Sequence, residues 1–353
     1  MKEKVICGIQ QIGIGVEDLM TAWKWYNQNL NIELKIVDAE GVAERMLPYT
    51  GGKPQPRHAI LAIAQRGGGG FEIWQPQGRK VVYPNEPLQL GDYGINIAKV
   101  KAKDVKRAYN ELKAKGIEML SEVNVSPLGL EHFYMKDPWG NIFEIEHDDY
   151  CFINVDKYTG GVNGAVMGVS DMDKSIDFYT KLLDYDVVAF DETRTFDDFG
   201  NVPGGNCKMR RVELVRSKPF TGSLSAVMGS SHIELIQNLE KPCKKTLEGR
   251  WWGDPGFIHL CFDIRNMSKI HEAALSLGHD FVCDGGEDFN MGDANGHFTY
   301  VEDPDGALIE FVETFKIPIY KKLGLYINLK NRDDHKPLCS LVTKALRFAK
   351  VKF

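Results

Sequence analysis

At 353 residues the chain is too long for one ordinary hydrophobic core, and it suits two domains of about 150 residues with some length left over. Its hydrophobic residues (43%) and charged residues (26%) are in the proportions of a globular protein, and no apolar run approaches the roughly 18 residues that span a bilayer. The formal net charge of −6 argues against nucleic acid as a partner, because phosphate binding needs a concentrated basic surface.

The amino-terminal sequence MKEKVICGIQQIGIGVED passes from lysines directly into alternating apolar residues, without the apolar stretch of a secretory signal. We therefore expect a cytoplasmic location and no membrane association. The seven cysteines are odd in number and contain no CxxC pair, so neither a disulfide framework nor a thiolate zinc site is indicated. We expect them to be reduced.

Along the chain, four segments repeat one pattern, in which an alternating strand leads through a polar cap into an amphipathic helix. The first and third segments resemble each other in a V-x-D step followed by an aromatic pair. In the first these are Val16 to Asp18 and Trp25-Tyr26, and in the third Val169 to Asp171 and Phe178-Tyr179. The pattern predicts two copies of one odd-numbered unit.

The second and fourth segments, NIAKVKAKDVKRAYNELKAKGIEML and HLCFDIRNMSKIHEAALSLGHDFV, also resemble each other. Both continue into a hairpin of the form Y-x-x-D-P-x-G-x-x-x-E, from Tyr134 to Glu144 and from Tyr300 to Glu310. Asp-Pro-x-Gly is a turn former, because Pro presets φ and Gly accepts a positive φ. Odd and even units therefore alternate, and a hairpin closes each even unit.

Two further stretches lie outside this repeat. Residues 193–231 are long for a hairpin connection, and we expect this insert to cover the second domain's site and to supply an arginine to an anionic substrate. A surface excursion or a contact between subunits is an equal alternative. The tail, residues 317–353, ends in a stretch with apolar residues at helical spacing, and we expect a helix that packs on the body or on a second subunit of a homodimer.

Four βαβββ units with these closing hairpins resemble the vicinal oxygen chelate superfamily, which includes glyoxalases, bleomycin resistance proteins and extradiol dioxygenases. The resemblance covers about residues 5 to 314. It implies an α+β fold in which units pair into two cup-shaped mixed-sheet domains, residues 1–150 and 158–316, followed by the carboxy-terminal helical tail. It also implies that the inner face of a cup can present metal ligands.

The family's ligand positions, transferred by strand register, give one set of candidates in each domain. In the second domain Gly164 stands at the first position, and the candidates are Glu234, His259 and Glu310. One imidazole and two carboxylates suit a divalent ion such as Fe, Mn, Ni or Zn. The first domain offers a weaker set, which comprises Gln11, Glu72, Asn96 and Glu144.

Catalytic candidates in the second domain are Glu234 or Glu310 as a proton-moving carboxylate, Tyr300 as a substrate contact, and His232 as a general acid or base. Each has a structural alternative. Tyr134 has the same spacing as Tyr300 and suggests a packing role for both, and His232 could simply be an edge residue after a Gly-Ser-Ser turn.

The resemblance leaves three functions open, all of which involve a small-molecule ligand. The first is a metal-dependent isomerase or lyase, in which the metal acts as a Lewis acid on a substrate that chelates through neighbouring oxygens. The second is an extradiol dioxygenase, which the absence of a histidine at position 164 disfavours. The third is a non-catalytic binding protein of the bleomycin-resistance type that stacks its ligand on Trp74, Trp139 or Trp252.

Overall fold

The computed structural model describes residues 2–287, 289–291, 294–320 and 325–353. It confirms the α+β class and the two curved sheets, whose strands come from four successive units. We number the units in chain order and call them units 1 to 4. Unit 1 comprises β1 (Val5–Gly15), α1 (Leu19–Leu30), β2 (Ile32–Ala43), β3 (Gln55–Ala64) and β4 (Gly70–Pro76).

The other units repeat this order with small additions. Unit 2 contains β5 (Gly94–Ala102), α2 (Val105–Ala114), β6 (Glu118–Met119), β7 (Asn124–Val125), β8 (Glu131–Lys136) and β9 (Ile142–His147). Unit 3 contains β10 (Val162–Gly168), α3 (Met172–Leu183), β11 (Val187–Arg194), β12 (Met209–Val215), α4 (Ser225–Met228) and β13 (His232–Asn238). Unit 4 contains β14 (Gly256–Arg265), α5 (Met267–Ser276), β15 (Phe281–Asp284), β16 (Phe289–Met291), β17 (Ala294–Glu302) and β18 (Leu308–Tyr320).

The helices begin where the sequence places their caps. Asp18, Asp104 and Asp171 each accept a hydrogen bond from the backbone N–H three residues later, which satisfies a donor that the first turn leaves free. α1 and α3 end at Asn31 and Asp184, which adopt the left-handed conformation typical of a helix terminus. The repeated V-x-D step is therefore the entry to the helix in both odd units.

The sheets do not follow the predicted pairing of neighbouring units. One sheet has the order β15-β17-β18-β14-β1-β4-β3-β2 and so joins unit 4 to unit 1. The other has the order β11-β12-β13-β10-β5-β9-β8-β6 and joins unit 3 to unit 2. The prediction that residues 1–150 and residues 158–316 each form one cup is wrong in this respect. We call the sheet of units 1 and 4 the terminal cup and that of units 2 and 3 the central cup.

Strand pairing at the centre of each sheet explains the correction. β1 pairs antiparallel with β14 from Val5↔Arg265 to Gly15↔Gly256, over almost its whole length. Strand β5 meets β10 at Val100↔Val162. Sequence periodicity shows which face of a strand is buried, but it does not show which strand lies alongside it.

Neighbouring units are joined instead by their helices and hairpins. The hydroxyl of Tyr26 in α1 donates to Asp137 in the closing hairpin of unit 2 (2.7 Å), and Tyr179 in α3 donates to Asp303 in the hairpin of unit 4 (2.9 Å). All four groups are buried. The repeated aromatic pairs and Asp-Pro-x-Gly turns thus hold units 1 and 2 together, and units 3 and 4, around a shared core that the long helices cover.

The insert and the tail both pack on this body. Strand β12 occupies part of the predicted insert, and the segment before it closes the central cup. The tail contains β19 (Leu325–Asn328) and α6 (Ser340–Lys344), and a 3-10 helix follows α6 at Ala345–Ala349. The predicted tail helix is therefore divided between an α-helix and a 3-10 helix. Phe353 then packs on Trp23 of α1. The homodimer stays a prediction.

None of the helices in the described ranges combines the length and the apolar character needed to cross a bilayer.

The pairing of units leads to a test by fragment complementation. We expect fragments 1–154 and 155–353, produced separately, to lack a cooperative thermal transition, because each holds only half of either sheet. Co-expressed fragments should copurify and unfold cooperatively, as followed by circular dichroism. A cooperative transition in either fragment alone, as a monomer, would contradict the assigned pairing.

Candidate metal centre

Four polar side chains meet on the inner face of the terminal cup. They lie on four adjacent strands, with Glu310 on β18, His259 on β14, Gln11 on β1 and Glu72 on β4. The register brings them level, since Gly13 is opposite both His259 and Glu72, and Cys261 is opposite Glu310. Both ends of the chain therefore contribute to this site.

The donor atoms are close enough to share one ion. His259 Nε2 lies 3.4 Å from Glu72 Oε2 and 3.2 Å from Glu310 Oε2. Gln11 Nε2 donates a hydrogen bond of 3.3 Å to Glu310 Oε2. One donor atom from each of Glu72, His259 and Glu310 falls within 4.8 Å of the other two.

Burial disfavours the charged forms of the histidine and the two glutamates. Burial lowers the pKa of His259 to about 3, so its imidazole is neutral and can act as a ligand. Burial is the main cause that raises the pKa of Glu310, and repulsion from Glu72 is the second. Hydrogen bonding from Tyr300, Cys261 and Gln11 lowers this pKa in part. Burial likewise raises the pKa of Glu72. A nearby cation would relieve this penalty.

The donor set fits a divalent cation. Both ring nitrogens of His259 and Oε1 of Gln11 are buried and have no hydrogen-bond partner among the described residues. Buried polar atoms normally have partners, so atoms left without one at the focus of two carboxylates indicate a missing ligand. An imidazole nitrogen, an amide oxygen and two carboxylates match the preferences of first-row divalent ions.

Gly13 makes room for the imidazole. A Cβ atom on this residue would lie 2.3 Å from His259 Cε1 and 2.6 Å from its Nδ1. The absence of a side chain on β1 therefore lets β14 present His259 directly above it. The sequence Gln11-Ile12-Gly13 thus supplies one donor and the space for another.

A cavity of about 340 Å³ opens onto the two carboxylates and is lined largely by aromatic and aliphatic side chains. Trp252 lies nearly parallel to the His259 ring at 6.3 Å, and Tyr300 meets that ring edge-on at 5.6 Å. Trp74 packs against Trp252. Of the tryptophans considered from sequence, Trp74 and Trp252 line this cavity, whereas Trp139 packs on Trp25.

Two arginines also line the cavity. Arg57 on β3 is half-buried and donates to the carbonyl of Ala39 (2.7 Å), and Arg45 follows β2 and is exposed. Neither arginine forms an ion pair with a carboxylate of the described residues. Arg57 is near enough to Glu72 to oppose the rise in its pKa.

The other predicted ligands lie in the central cup. Glu234 on β13 and Glu144 on β9 were assigned to different sets, but the sheet order brings them together and away from His259. The set of Glu234, His259 and Glu310 is therefore corrected, with Glu72 of unit 1 in place of Glu234. The cause is again the pairing of unit 1 with unit 4.

Asn96 was placed one residue out of register. Strands β5 and β14 begin at Gly94 and Gly256, and the third residue beyond these is Ile97 in one and His259 in the other. The Asn96 side chain instead holds the preceding loop, since it accepts from the N–H of Gly91 (2.7 Å) and donates to the carbonyl of Asp92 (2.6 Å). Apolar Ile97 thus occupies the position of the imidazole.

The central cup is filled. Phe196, Phe199 and Val202 of the insert pack against Tyr134 and Ile97 on the sheet. The insert therefore covers the central cup and not the site with His259, which corrects the expectation that it covers the second domain's site. His232 lies at its edge, with Nε2 3.0 Å from Glu146 Oε2 and Nδ1 bonded to Glu213. Burial alone would lower the pKa of His232, but these carboxylates outweigh it and raise the pKa to about 10. His232 is thus an ion-paired cation remote from His259.

Sequence reasoning missed several contributors to the site. Cys261, two residues beyond His259, lies opposite Glu310 on the neighbouring strand and helps to lower its pKa, and the period-two pattern of β14 could have placed it on the same face. Arg57 could have been found in the same way, because it precedes Ala59 and Leu61 of the cavity wall by even steps. No local signal marks Gly13, whose role depends on a strand that follows it by more than two hundred residues.

Substitution of Gly13 tests the metal centre without any assay of activity. We expect Gly13→Ala to displace His259 and to weaken divalent-metal binding by about 10- to 100-fold, the usual effect of disturbing a ligand's surroundings. Competition titration with a fluorescent chelator measures the affinity. Gly41→Ala is the control, because nothing lies within 4 Å of its added Cβ. Equal affinities in both variants would argue against His259 as a ligand.

Comparison with known proteins places this geometry in a family. The model of the Glyoxalase/Bleomycin resistance protein/Dioxygenase superfamily matches residues 8–145 and 161–311. None of the curated protein sequences matches the chain.

Solved structures share the fold at low sequence identity. Glyoxalase I from Zea mays is 15% identical with a TM-score of 0.54, over 88% of this chain and 92% of that one. A Bacillus subtilis protein with a provisional dioxygenase name is 15% identical with a TM-score of 0.54, over 88% of this chain and 86% of that one. The two family matches together span most of the chain, which therefore belongs to the Glyoxalase/Bleomycin resistance protein/Dioxygenase superfamily.

Proposed function

We propose that this protein is a metal-dependent isomerase or lyase that moves a proton next to a carbonyl group of a small substrate. The observation that carries the proposal is the convergence of Gln11, Glu72, His259 and Glu310, with Glu72 and Glu310 lining an open cavity. The glyoxalase I of Zea mays, which shares the fold, is consistent with this choice.

Gln11, Glu72, His259 and Glu310 would hold the ion, with Fe, Mn, Ni and Zn as candidates. When bound, such an ion supplies Lewis acidity to neighbouring substrate oxygens and stabilises negative charge that develops on them. With two carboxylates as ligands, the centre would be close to neutral overall.

Glu310 is our candidate for the general base. Its carboxylate is buried and faces the cavity, so it could accept a proton from a substrate that binds there. Tyr300 lies opposite Glu310 in the β17–β18 pair and is close enough to lower the pKa of this carboxylate. We infer that Tyr300 positions the carboxylate and that Glu72, which lies across the site, remains a ligand.

The site is less suited to the two alternatives. An extradiol dioxygenase of this superfamily would use two histidines and one glutamate, whereas the centre described above contains His259, a glutamine and two glutamates. A non-catalytic binding protein would not need buried nitrogen and oxygen atoms that lack a hydrogen-bond partner beside its cavity. Oxygen consumption with catechols would favour the first alternative, and metal-free protein with full ligand affinity would favour the second.

The cavity also suggests the substrate's charge. Arg45 and Arg57 line it and form no ion pair with a carboxylate of the described residues, although Arg57 is near Glu72 and Glu44 also lines the cavity. The aromatic side chains offer an apolar wall. A guanidinium group pairs well with carboxylate or phosphate. We therefore infer an α-hydroxycarbonyl substrate that carries an acidic group several bonds away from its chelating oxygens.

Glu310→Gln separates metal binding from proton transfer. The amide keeps an oxygen that can act as a ligand but cannot accept the proton, so we expect metal content to persist and turnover to fall by about 10²- to 10⁴-fold. Exchange of the substrate's C–H hydrogen with deuterated solvent, followed by NMR, measures the proton step directly. Wild-type exchange in this variant would rule out Glu310 as the base.

Tyr300→Phe should cause a smaller loss, together with a displaced pH profile of kcat/KM. Tyr134→Phe provides the matched control, because Tyr134 occupies the equivalent position opposite Glu144 in the filled central cup. Its hydroxyl has no hydrogen-bond partner among the described residues, so its removal should leave activity unchanged.

Arg57→Met tests the acidic substrate. Loss of a charged hydrogen bond commonly costs about 1.5 to 3 kcal/mol, so kcat/KM for an acidic substrate should fall by about 10- to 100-fold. The corresponding neutral amide should be turned over equally by both proteins. Arg194→Met, which alters an exposed arginine paired with Glu192 on the central cup, is the control. An equal loss for acid and amide would refute charge recognition.

A further inference from the structure

The central cup keeps the two carboxylates of the metal centre and places a lysine between them. Glu234 and Glu144 occupy the register positions of Glu72 and Glu310, since Val166 is opposite Glu234 as Gly13 is opposite Glu72. On β5, one of the two strands between them, Lys99 is opposite Glu144 as Cys261 is opposite Glu310. A lysine therefore enters the place where four strands converge.

The ammonium group of Lys99 is surrounded by carboxylates. Its Nζ lies 2.7 Å from Glu234 Oε2 and 3.2 Å from Glu144 Oε2, and 3.6 Å from an oxygen of each of Glu146 and Glu213. The lysine side chain is 1% exposed, and the four carboxylate side chains are at most 6% exposed. This geometry resembles the coordination of a cation by oxygen ligands more than an ordinary ion pair.

Gly164 allows this placement. It stands at the position that Gln11 occupies in the terminal cup, and a Cβ atom on it would lie 3.2 Å from Lys99 Cδ and 2.3 Å from the carbonyl oxygen of His232. The glycine that removes one potential ligand thus also provides space for the lysine's aliphatic chain.

An arginine and two histidines also lie beside the carboxylates that surround Lys99. Arg211 on β12 donates to Glu234 and, at 2.6 Å, to Asp198 of the insert. His132 bonds to Glu144 at 2.6 Å, and His232 bonds to Glu213. Every carboxylate around Lys99 is therefore close to at least one cationic or ionisable basic group, and the packed insert keeps solvent away.

We propose that Lys99 is a built-in cation that takes the place of a metal ion in the central cup. The lysine ammonium group then lies where a metal ion would bind between the carboxylates. With the terminal cup as proposed above, the protein holds one exchangeable divalent ion rather than two. Removal of the lysine side chain would leave an all-oxygen cage suited to a hard divalent ion such as Mn²⁺.

Metal stoichiometry tests the proposal. We expect Lys99→Ala to bind one equivalent of Mn²⁺ more than wild type, as measured by electron paramagnetic resonance and by elemental analysis after dialysis. The difference is one equivalent whether or not the terminal cup binds metal, so a failure of the proposed function would not be mistaken for a failure here. An unchanged stoichiometry in folded Lys99→Ala would overturn the proposal.

Lys101→Ala is the matched control. Lys101 is a second buried lysine on the same strand, and its Nζ bonds to Asp148 (3.1 Å) and to the carbonyl of Ser230 (2.6 Å) rather than to the four glutamates. This variant should bind no additional Mn²⁺. An extra equivalent in Lys101→Ala would show that any lost lysine creates a site, which would also overturn the assignment to Lys99.

A second measurement covers the case in which Lys99→Ala does not fold. Lys99→Met fills the space without charge and should lower the melting temperature sharply, because the carboxylates then repel one another. Addition of Glu144→Gln and Glu234→Gln to Lys99→Met should restore most of that loss without any metal. If Lys99→Met melts like wild type, or if the two glutamines bring no recovery, Lys99 does not act as the cup's cation.

Discussion

Carboxylates buried at the centre of a curved sheet need a positive charge beside them, and this requirement organises both cups. In the central cup the chain meets it with Lys99, Arg211 and two histidines, and the insert then seals the network. In the terminal cup Glu72 and Glu310 lie against a neutral imidazole and an amide. Two related sheets have thus become one packed ionic core and one open site.

The open site depends on the pairing of β1 with β14. This pairing sets Gly13 beneath His259 and brings Gln11 within hydrogen-bond distance of Glu310. Neither half of the chain contains a complete donor set, since each brings two of the four residues. Mutations that loosen the contact between the first and last units would therefore affect the site as well as stability.

The sequence predicted the units and their helices, because alternation and repeated turns are local features. The family resemblance supplied the positions of all four residues of the candidate centre. It failed where the answer depended on which strands are neighbours. Glu72 and His259 were assigned to different sites, and Glu234 was assigned to the wrong one, although each position was chosen correctly within its own strand. Lys99 was overlooked because an alternating strand with a lysine normally predicts a solvent-facing side chain.

The same pairing has a consequence for biosynthesis. Gln11 and Glu310 are separated by 299 positions. Unit 4 must therefore be synthesised and leave the ribosome before the terminal cup can close. Units 2 and 3 lie next to each other in sequence and can complete their sheet earlier. During that time the edge of β1 that pairs with β14 remains unpaired. The central cup can thus form before the terminal cup, and the unpaired edge of β1 is the strand edge that a chaperone would most need to cover.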